Sequence, residues 1–299
     1  MRYFLSFCFL FIYCLCPAQE RFLDLIFEVA PALTETYAVK DAEALKLDIY
    51  TPKNDTARSR PLIVFMHGGG FSGGSRAHED LVKFSQQAAR KGYVAVQISY
   101  RLTRKGRSFG CDYEASGKIE TFQKAAEDFM DAVQFLITNA EKYRINPEQI
   151  IVGGSSAGAE AVLNAVYNPQ LMFSEPGKYK NIDIDGVFSL AGAIVDARYL
   201  TAKNAVPGVF FHGTKDKLVP YATAPHHLCE PGAPGYLMLD GSKTIAQKLK
   251  DLNTSYLLYS FEGGQHEHSG MPFNELDQVF DFFHRVFLNK EQLQIEVGR

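Results

Sequence analysis

Short apolar runs that do not alternate recur along this chain, separated by segments whose apolar residues repeat every three or four positions. The runs are residues 62–66 (Leu-Ile-Val-Phe-Met), 93–98, 149–152, 187–190, 209–211 and 256–261. A strand with one wet face alternates, whereas a strand buried on both faces does not. Helical spacing appears over residues 80–91, 119–143, 157–167 and 242–252, and again in Leu276, Val279, Phe280, Phe283, Val286 and Phe287. Parallel strands need a crossover across one face of the sheet. Alternating strands and helices therefore predict an α/β fold, a mostly parallel central sheet with helices on both faces. Residues 45–50 do alternate and read as an early edge strand, closed by Thr51-Pro52, with Asp48 tying it down.

With 299 residues, 46% hydrophobic and 22% charged, the chain can bury one substantial core. Residues 19–299 are read as a single domain. The 31 basic and 34 acidic residues are scattered and leave a formal net charge of -3. That balance offers no footing for nucleic acid or an anionic membrane surface.

Arg2 precedes an apolar run over residues 3–15, and Ala18 is a small residue placed for cleavage before Gln19. This reads as a signal peptide over residues 1–18, which predicts a secreted or periplasmic protein with no stable membrane span after its removal. The run is short for a bilayer span. An uncleaved anchor and a lipoprotein signal are the rival readings, although residues 13–15 ahead of Cys16 lack the small residues of a lipobox. Cys8, Cys14 and Cys16 would leave with the signal. Cys111 and Cys229 remain, both in glycine-rich loop sequence, and an even pair in an exported chain invites a disulfide.

Two runs carry the chemistry. Gly154-Ser155-Ser156-Ala157-Gly158 joins a buried strand to a small-residue helix, so Ser156 occupies a tight strand-to-helix turn flanked by the glycines such a turn demands. Ser155 is the rival nucleophile, but centring the motif there puts Ala157 in place of the second glycine. His67-Gly68-Gly69-Gly70-Phe71 follows another buried strand and offers backbone N–H donors. A serine hydroxyl needs a base, and the base needs a carboxylate. Asp216 follows the 209–211 strand and His266 the 256–261 strand, in the order Ser, Asp, His. His268 is the alternative base and Asp196 the alternative acid. His67 is read as orienting its loop, and His226 and His227 as surface residues.

With these motifs in view, the chain resembles an α/β-hydrolase of the esterase/lipase type with a His-Gly-Gly-Gly oxyanion motif, close to the hormone-sensitive-lipase-like and carboxylesterase groups. The matching positions are Leu47-Asp48-Ile49-Tyr50-Thr51-Pro52, His67 to Phe71, Tyr100-Arg101, Gly154 to Gly158, Asp216 with Val219-Pro220, and His266. The resemblance implies Ser156 as nucleophile, His266 as general base and then acid, and Asp216 as its orienting carboxylate. It also implies an oxyanion hole from the N–H groups of Gly69, Gly70 and Ala157. The expected reaction is hydrolysis of carboxylic esters through an acyl-enzyme, on a small-molecule or carbohydrate-linked ester such as an acetyl or feruloyl ester of plant carbohydrate. It calls for no metal and no organic cofactor. A serine peptidase of the prolyl-oligopeptidase type and a non-catalytic binding module on the same fold are the alternatives. Acyl specificity and oligomeric state are not written in the motifs.

Overall fold

The computed structural model describes residues 20–175 and 177–299. The signal-peptide reading of residues 1–18, with Cys8, Cys14 and Cys16, lies outside the described residues. In chain order the strands are β1 (Leu33–Lys40), β2 (Glu43–Tyr50), β3 (Arg60–Met66), β4 (Val94–Ile98), β5 (Ile145–Ser155), β6 (Gly186–Leu190), β7 (Ala193–Ile194), β8 (Gly208–Gly213), β9 (Thr223–Pro225), β10 (Met238–Gly241), β11 (Tyr256–Phe261) and β12 (Gln294–Gly298). The helices are α1 (Glu79–Lys91), α2 (Ala115–Thr138), α3 (Ala140–Tyr143), α4 (Ala157–Tyr167), α5 (Pro169–Met172), α6 (Ser242–Asp251) and α7 (Leu276–Phe287).

Nine strands form one sheet in the order β1-β2-β4-β3-β5-β6-β8-β11-β12. Its first two pairings, β1 with β2 and β2 with β4, are antiparallel, and the rest are parallel. The continuous apolar run of β3 has a direct cause in this arrangement. Successive side chains point to opposite faces. Leu62, Val64 and Met66 join one core with Phe122 and Phe129 of α2, Val162 of α4 and Ile245 of α6. Ile63 and Phe65 join the other with Phe84 of α1 and Phe280 and Phe283 of α7. Each large side chain so buried contributes roughly 1.5–3 kcal/mol relative to exposure. A single polar substitution on either face of β3 therefore breaks a core.

Several expectations are corrected. The strand read over residues 45–50 is not an edge, because β1 pairs along it from Leu33↔Ile49 to Lys40↔Glu43. β1 has the polar sequence LTETYAVK and is mostly exposed, so no apolar run announces it. A further strand, β12, follows the apolar run of residues 256–261 and pairs with it in parallel on a half-wet edge. The helix over residues 119–143 starts earlier, at Ala115, and breaks at Asn139, whose side-chain amide and backbone N–H both bond to Phe135 O. A small antiparallel sheet, β7-β10-β9, was not anticipated from strands of two to four residues. Asp48 does tie down its strand, accepting from Thr34 Oγ1 at 2.6 Å and pairing with Arg76 at 2.8 Å.

Cys111 and Cys229 are joined by a disulfide, with Cα atoms 5.3 Å apart across 118 residues of sequence. It links the loop before α2 to the segment after β9.

Candidate active site

β5 delivers Ser156 to the elbow. The serine adopts φ 50° and ψ -123°, a left-handed conformation that a side chain rarely accepts, and its N–H is held by Leu190 O at 2.8 Å. Close backbone approach explains the glycines on either side. A Cβ on Gly154 would sit 2.4 Å from the carbonyl carbon of Gly158, and one on Gly158 would sit 2.2 Å from Met66 O. Ser155, the rival nucleophile, is engaged elsewhere and donates its hydroxyl to Ser269 O at 2.7 Å.

His266 follows β11 and presents Nε2 to Ser156 Oγ at 2.7 Å, while its Nδ1 meets Asp216 Oδ2 at 2.7 Å. Asp216, in the turn after β8, is itself anchored: its Oδ1 accepts from the N–H groups of Leu218 at 2.8 Å and Val219 at 3.1 Å. Burial alone would raise this carboxyl, but bonding from His212 and His266 holds it well below the usual carboxylate range. It therefore stays an anion against the imidazole. The structure thus brings together three side chains that lie 50 to 110 residues apart in sequence. A proton can pass from Ser156 Oγ to a histidine whose other nitrogen is already oriented.

The alternatives lie apart from this chain of hydrogen bonds. His268 stacks on Phe261, with ring centres 3.8 Å apart, and turns its Nε2 toward Glu267 at 3.5 Å. Asp196 accepts from the backbone and guanidinium of Arg198. It serves a local turn.

The glycine run after β3 lies directly on the elbow. A Cβ on Gly68 would meet Ser155 O at 2.9 Å and Ser156 Cβ at 3.2 Å. Gly69 and Gly70 have φ of 120° and 60°, which admits the backbone turn over the serine. Ala157 opens α4, so its N–H belongs to the helix's first turn, where no intrahelical carbonyl is available. Gly69, Gly70 and Ala157 line the same cavity as Ser156 and His266, one of about 530 Å³. His67 is buried beneath it, donating from Nδ1 to Gly68 O at 2.7 Å and stacking on Tyr100, whose hydroxyl donates to His67 O at 3.0 Å. It orients the loop through these contacts.

The sequence reading placed His226 and His227 on the surface, and the structure corrects this. Both line the cavity, and His226 is fully buried against Phe109 and Phe122. β9 pairs with β10 and the disulfide holds Cys229, so the two histidines are folded inward from both sides. Two further residues were missed. His212, fully buried at the end of β8, places Nε2 3.1 Å from Val219 O and 3.4 Å from Asp216 Oδ2, with Nδ1 2.8 Å from Ser242 Oγ. Its spacing of four from Asp216 was the available signal. Glu160, one turn after Ser156 on α4, is buried at the cavity wall and 3.2 Å from His226 Nε2. The one acidic residue in a helix of mostly small and apolar residues was its signal.

Comparison with known proteins places the fold and the family. Gut esterase 1 of Caenorhabditis elegans is 30% identical over 127 residues, covering 42% of this chain and 21% of that protein. Carboxylesterase 1E of Rattus norvegicus is 30% identical over 167 residues, covering 55% of this chain and 28% of that protein. The matched part thus spans about a quarter of the length of these relatives. Among solved structures, esterase Est2 of Thermogutta terrifontis superposes with a TM-score of 0.61 at 20% identity, covering 86% of this chain and 92% of the other. The form phosphorylated by paraoxon gives 0.62 at 21%, covering 85% and 93%. These structures share the α/β-hydrolase fold. The BD-FAE family model matches residues 47–198, the span from β2 through the glycine loop and the elbow to the turn after β7. That match extends over half of the chain, which belongs to the BD-FAE family of α/β-hydrolases.

Proposed function

We propose that this protein is a serine esterase that hydrolyses carboxylic esters through an acyl-enzyme on Ser156. The observation that carries the reading is the unbroken chain of 2.7 Å contacts from Ser156 Oγ through His266 to Asp216, at the wall of a cavity overlaid by a glycine loop. In the first step Ser156 Oγ attacks the ester carbonyl and its proton passes to His266 Nε2. The tetrahedral oxyanion is received by the N–H groups of Gly69, Gly70 and Ala157. Collapse breaks the bond to the alcohol, which leaves with the proton from His266. Water, deprotonated by the same nitrogen, then releases the acid and restores Ser156. Asp216 holds the ring and offsets the charge it gains.

Family membership supports this reading, as do relatives named esterases and carboxylesterases. A neighbour of the same fold has been captured phosphorylated by paraoxon, and another state of it bound to butyrate. We assign the natural substrate to acetyl or feruloyl esters of plant carbohydrate, met outside the cell after residues 1–18 are removed. The disulfide, which suits an oxidising compartment, favours export. The test is labelling with a fluorophosphonate followed by mapping of the modified residue, with Ser156→Ala as control. Label on Ser156, lost in the variant, is expected; label on Ser155 or none would refute the assignment. Acetylated and feruloylated xylosides compared with emulsified long-chain esters then test the substrate class, and turnover of the long-chain esters alone would refute it.

A further inference from the structure

Glu160 and His226 face one cavity wall with their hydrogen bonds unmade. Glu160 is 2% exposed and His226 0%, yet Glu160 Oε1 and both ring nitrogens of His226 have no hydrogen-bond partner among the described residues. Their closest approach, 3.2 Å between Oε1 and Nε2, lacks the angles of a hydrogen bond. Buried polar atoms are normally satisfied, and three orphans side by side at the edge of a cavity mark a place shaped for a polar guest. We infer that Glu160 and His226 form a subsite that binds a free hydroxyl of the substrate beside the scissile ester.

The chemistry of the pair selects that guest. Burial pushes the Glu160 carboxyl up to about 8, and burial together with the Lys118 charge pushes His226 down to about 3. Both shifts favour the neutral form of the group. Together they offer an O–H donor, an N–H donor and free lone pairs with no net charge, which suits a hydroxyl and rejects a carboxylate or an ammonium. The wall around the pair combines the apolar Leu81, Phe109, Leu190, Leu218 and Val219 with the polar His227, His78 and Asp80. A hydroxyl bound at Glu160 and His226, the lining pair buried with hydrogen bonds unmade, would fix the orientation of the ester. Reach sets its position. Glu160 lies four residues beyond Ser156, about 6 Å of helix rise, and both residues line the same cavity. That distance suits a hydroxyl on the carbon next to the ester-bearing one, as in a partly acylated sugar.

The inference rests on the esterase reading, and the experiment separates the two. A methyl xyloside carrying one acetyl group and a free neighbouring hydroxyl is compared with the same acetate whose other hydroxyls are O-methylated, with enzyme concentration set by paraoxon titration. The wild type should prefer the free hydroxyl by at least about tenfold in kcat/KM, the size of one well-made polar contact. Glu160→Leu and His226→Phe should each bring that ratio close to one, while Glu160→Gln, which still donates and accepts, should keep most of it. Variants that slow both acetates equally and leave the ratio intact would show a merely structural role and overturn the subsite. So would a titratable wild type without preference or without turnover of either acetate. A wild type that neither reacts with paraoxon nor cleaves either acetate would overturn the esterase reading itself, and the subsite with it.

Discussion

Replacing Asp216 by asparagine tests the reasoning about the site most sharply, because the change keeps shape and removes only charge and an acceptor. The new amide has two orientations. In one, its carbonyl keeps the place of Oδ1 and accepts from Leu218 N–H and Val219 N–H, at 2.8 and 3.1 Å, leaving its NH₂ against His266 Nδ1. In the other, NH₂ faces those two backbone donors and both are orphaned. A buried donor left unmade costs about 1–3 kcal/mol. Two orphaned donors in the second orientation and none in the first decide for the first. His266 Nδ1 must then accept from the amide, which places the ring proton on Nε2, where it points at Ser156 Oγ and cannot take the serine's proton. The wrong tautomer, with the lost anion, should lower kcat by about 10³ to 10⁴, or ~4–5.5 kcal/mol of barrier. Stability should fall far less, by about 1–2 kcal/mol for the charge-assisted bonds. Steady-state kinetics on a short aryl ester, beside urea denaturation of the same preparation, measures both. A kcat loss below tenfold with the fold intact would refute the positioning role of Asp216 and the tautomer argument.

Other consequences of the structure can be measured as directly. Gly158→Ala places a methyl 2.2 Å from Met66 O and 2.6 Å from His67 O, both backbone atoms. The cost should reach the upper end of overpacking, about 3 kcal/mol, with loss of activity as α4 is pushed off β3; an unchanged urea midpoint would contradict the close approach. The pair Cys111→Ser/Cys229→Ser, opening a cross-link over 118 residues, should destabilise by about 4 kcal/mol. The same shift in melting temperature should follow reduction of the wild type with dithiothreitol, and identical melting with and without reductant would count against the bond. Burial would raise Asp55, but hydrogen bonds from Arg21 and Arg60 hold it well below its ordinary value of 3.8. A depressed folded pKa adds stability above the unfolded value that is lost as pH falls through the folded one. Asp55→Asn should therefore lower stability at pH 7 and flatten its decline below about pH 4, read from denaturation midpoints between pH 7 and pH 2; parallel pH curves would refute it.

What could be read from sequence, and what could not, divides along a physical line. The β3 run and the α2 pattern announced themselves because burial on both faces, or on one helical stripe, is written in consecutive residues. The elbow was legible for a similar reason: Gly154 and Gly158 are forced by contacts with β3 and with each other, and no other residue fits them. β1 and β12 were silent because an edge strand satisfies half its backbone with water and needs few apolar side chains. His226 was misplaced for a different reason. Its neighbours in sequence are Pro225, His227 and a polar cysteine loop, all of which read as surface. What buries it is Phe109 and Phe122 from over a hundred residues earlier, and a disulfide that draws its loop inward. Glu160 was visible as a lone acid in an apolar helix, yet its meaning depends on His226, 66 positions away. The catalytic geometry is thus declared by local motifs because strained turns demand particular residues. The selectivity proposed for Glu160 and His226 rests instead on a pairing that exists only once the chain has folded, which is why the reaction could be argued from the sequence and the substrate proposal only from the cavity.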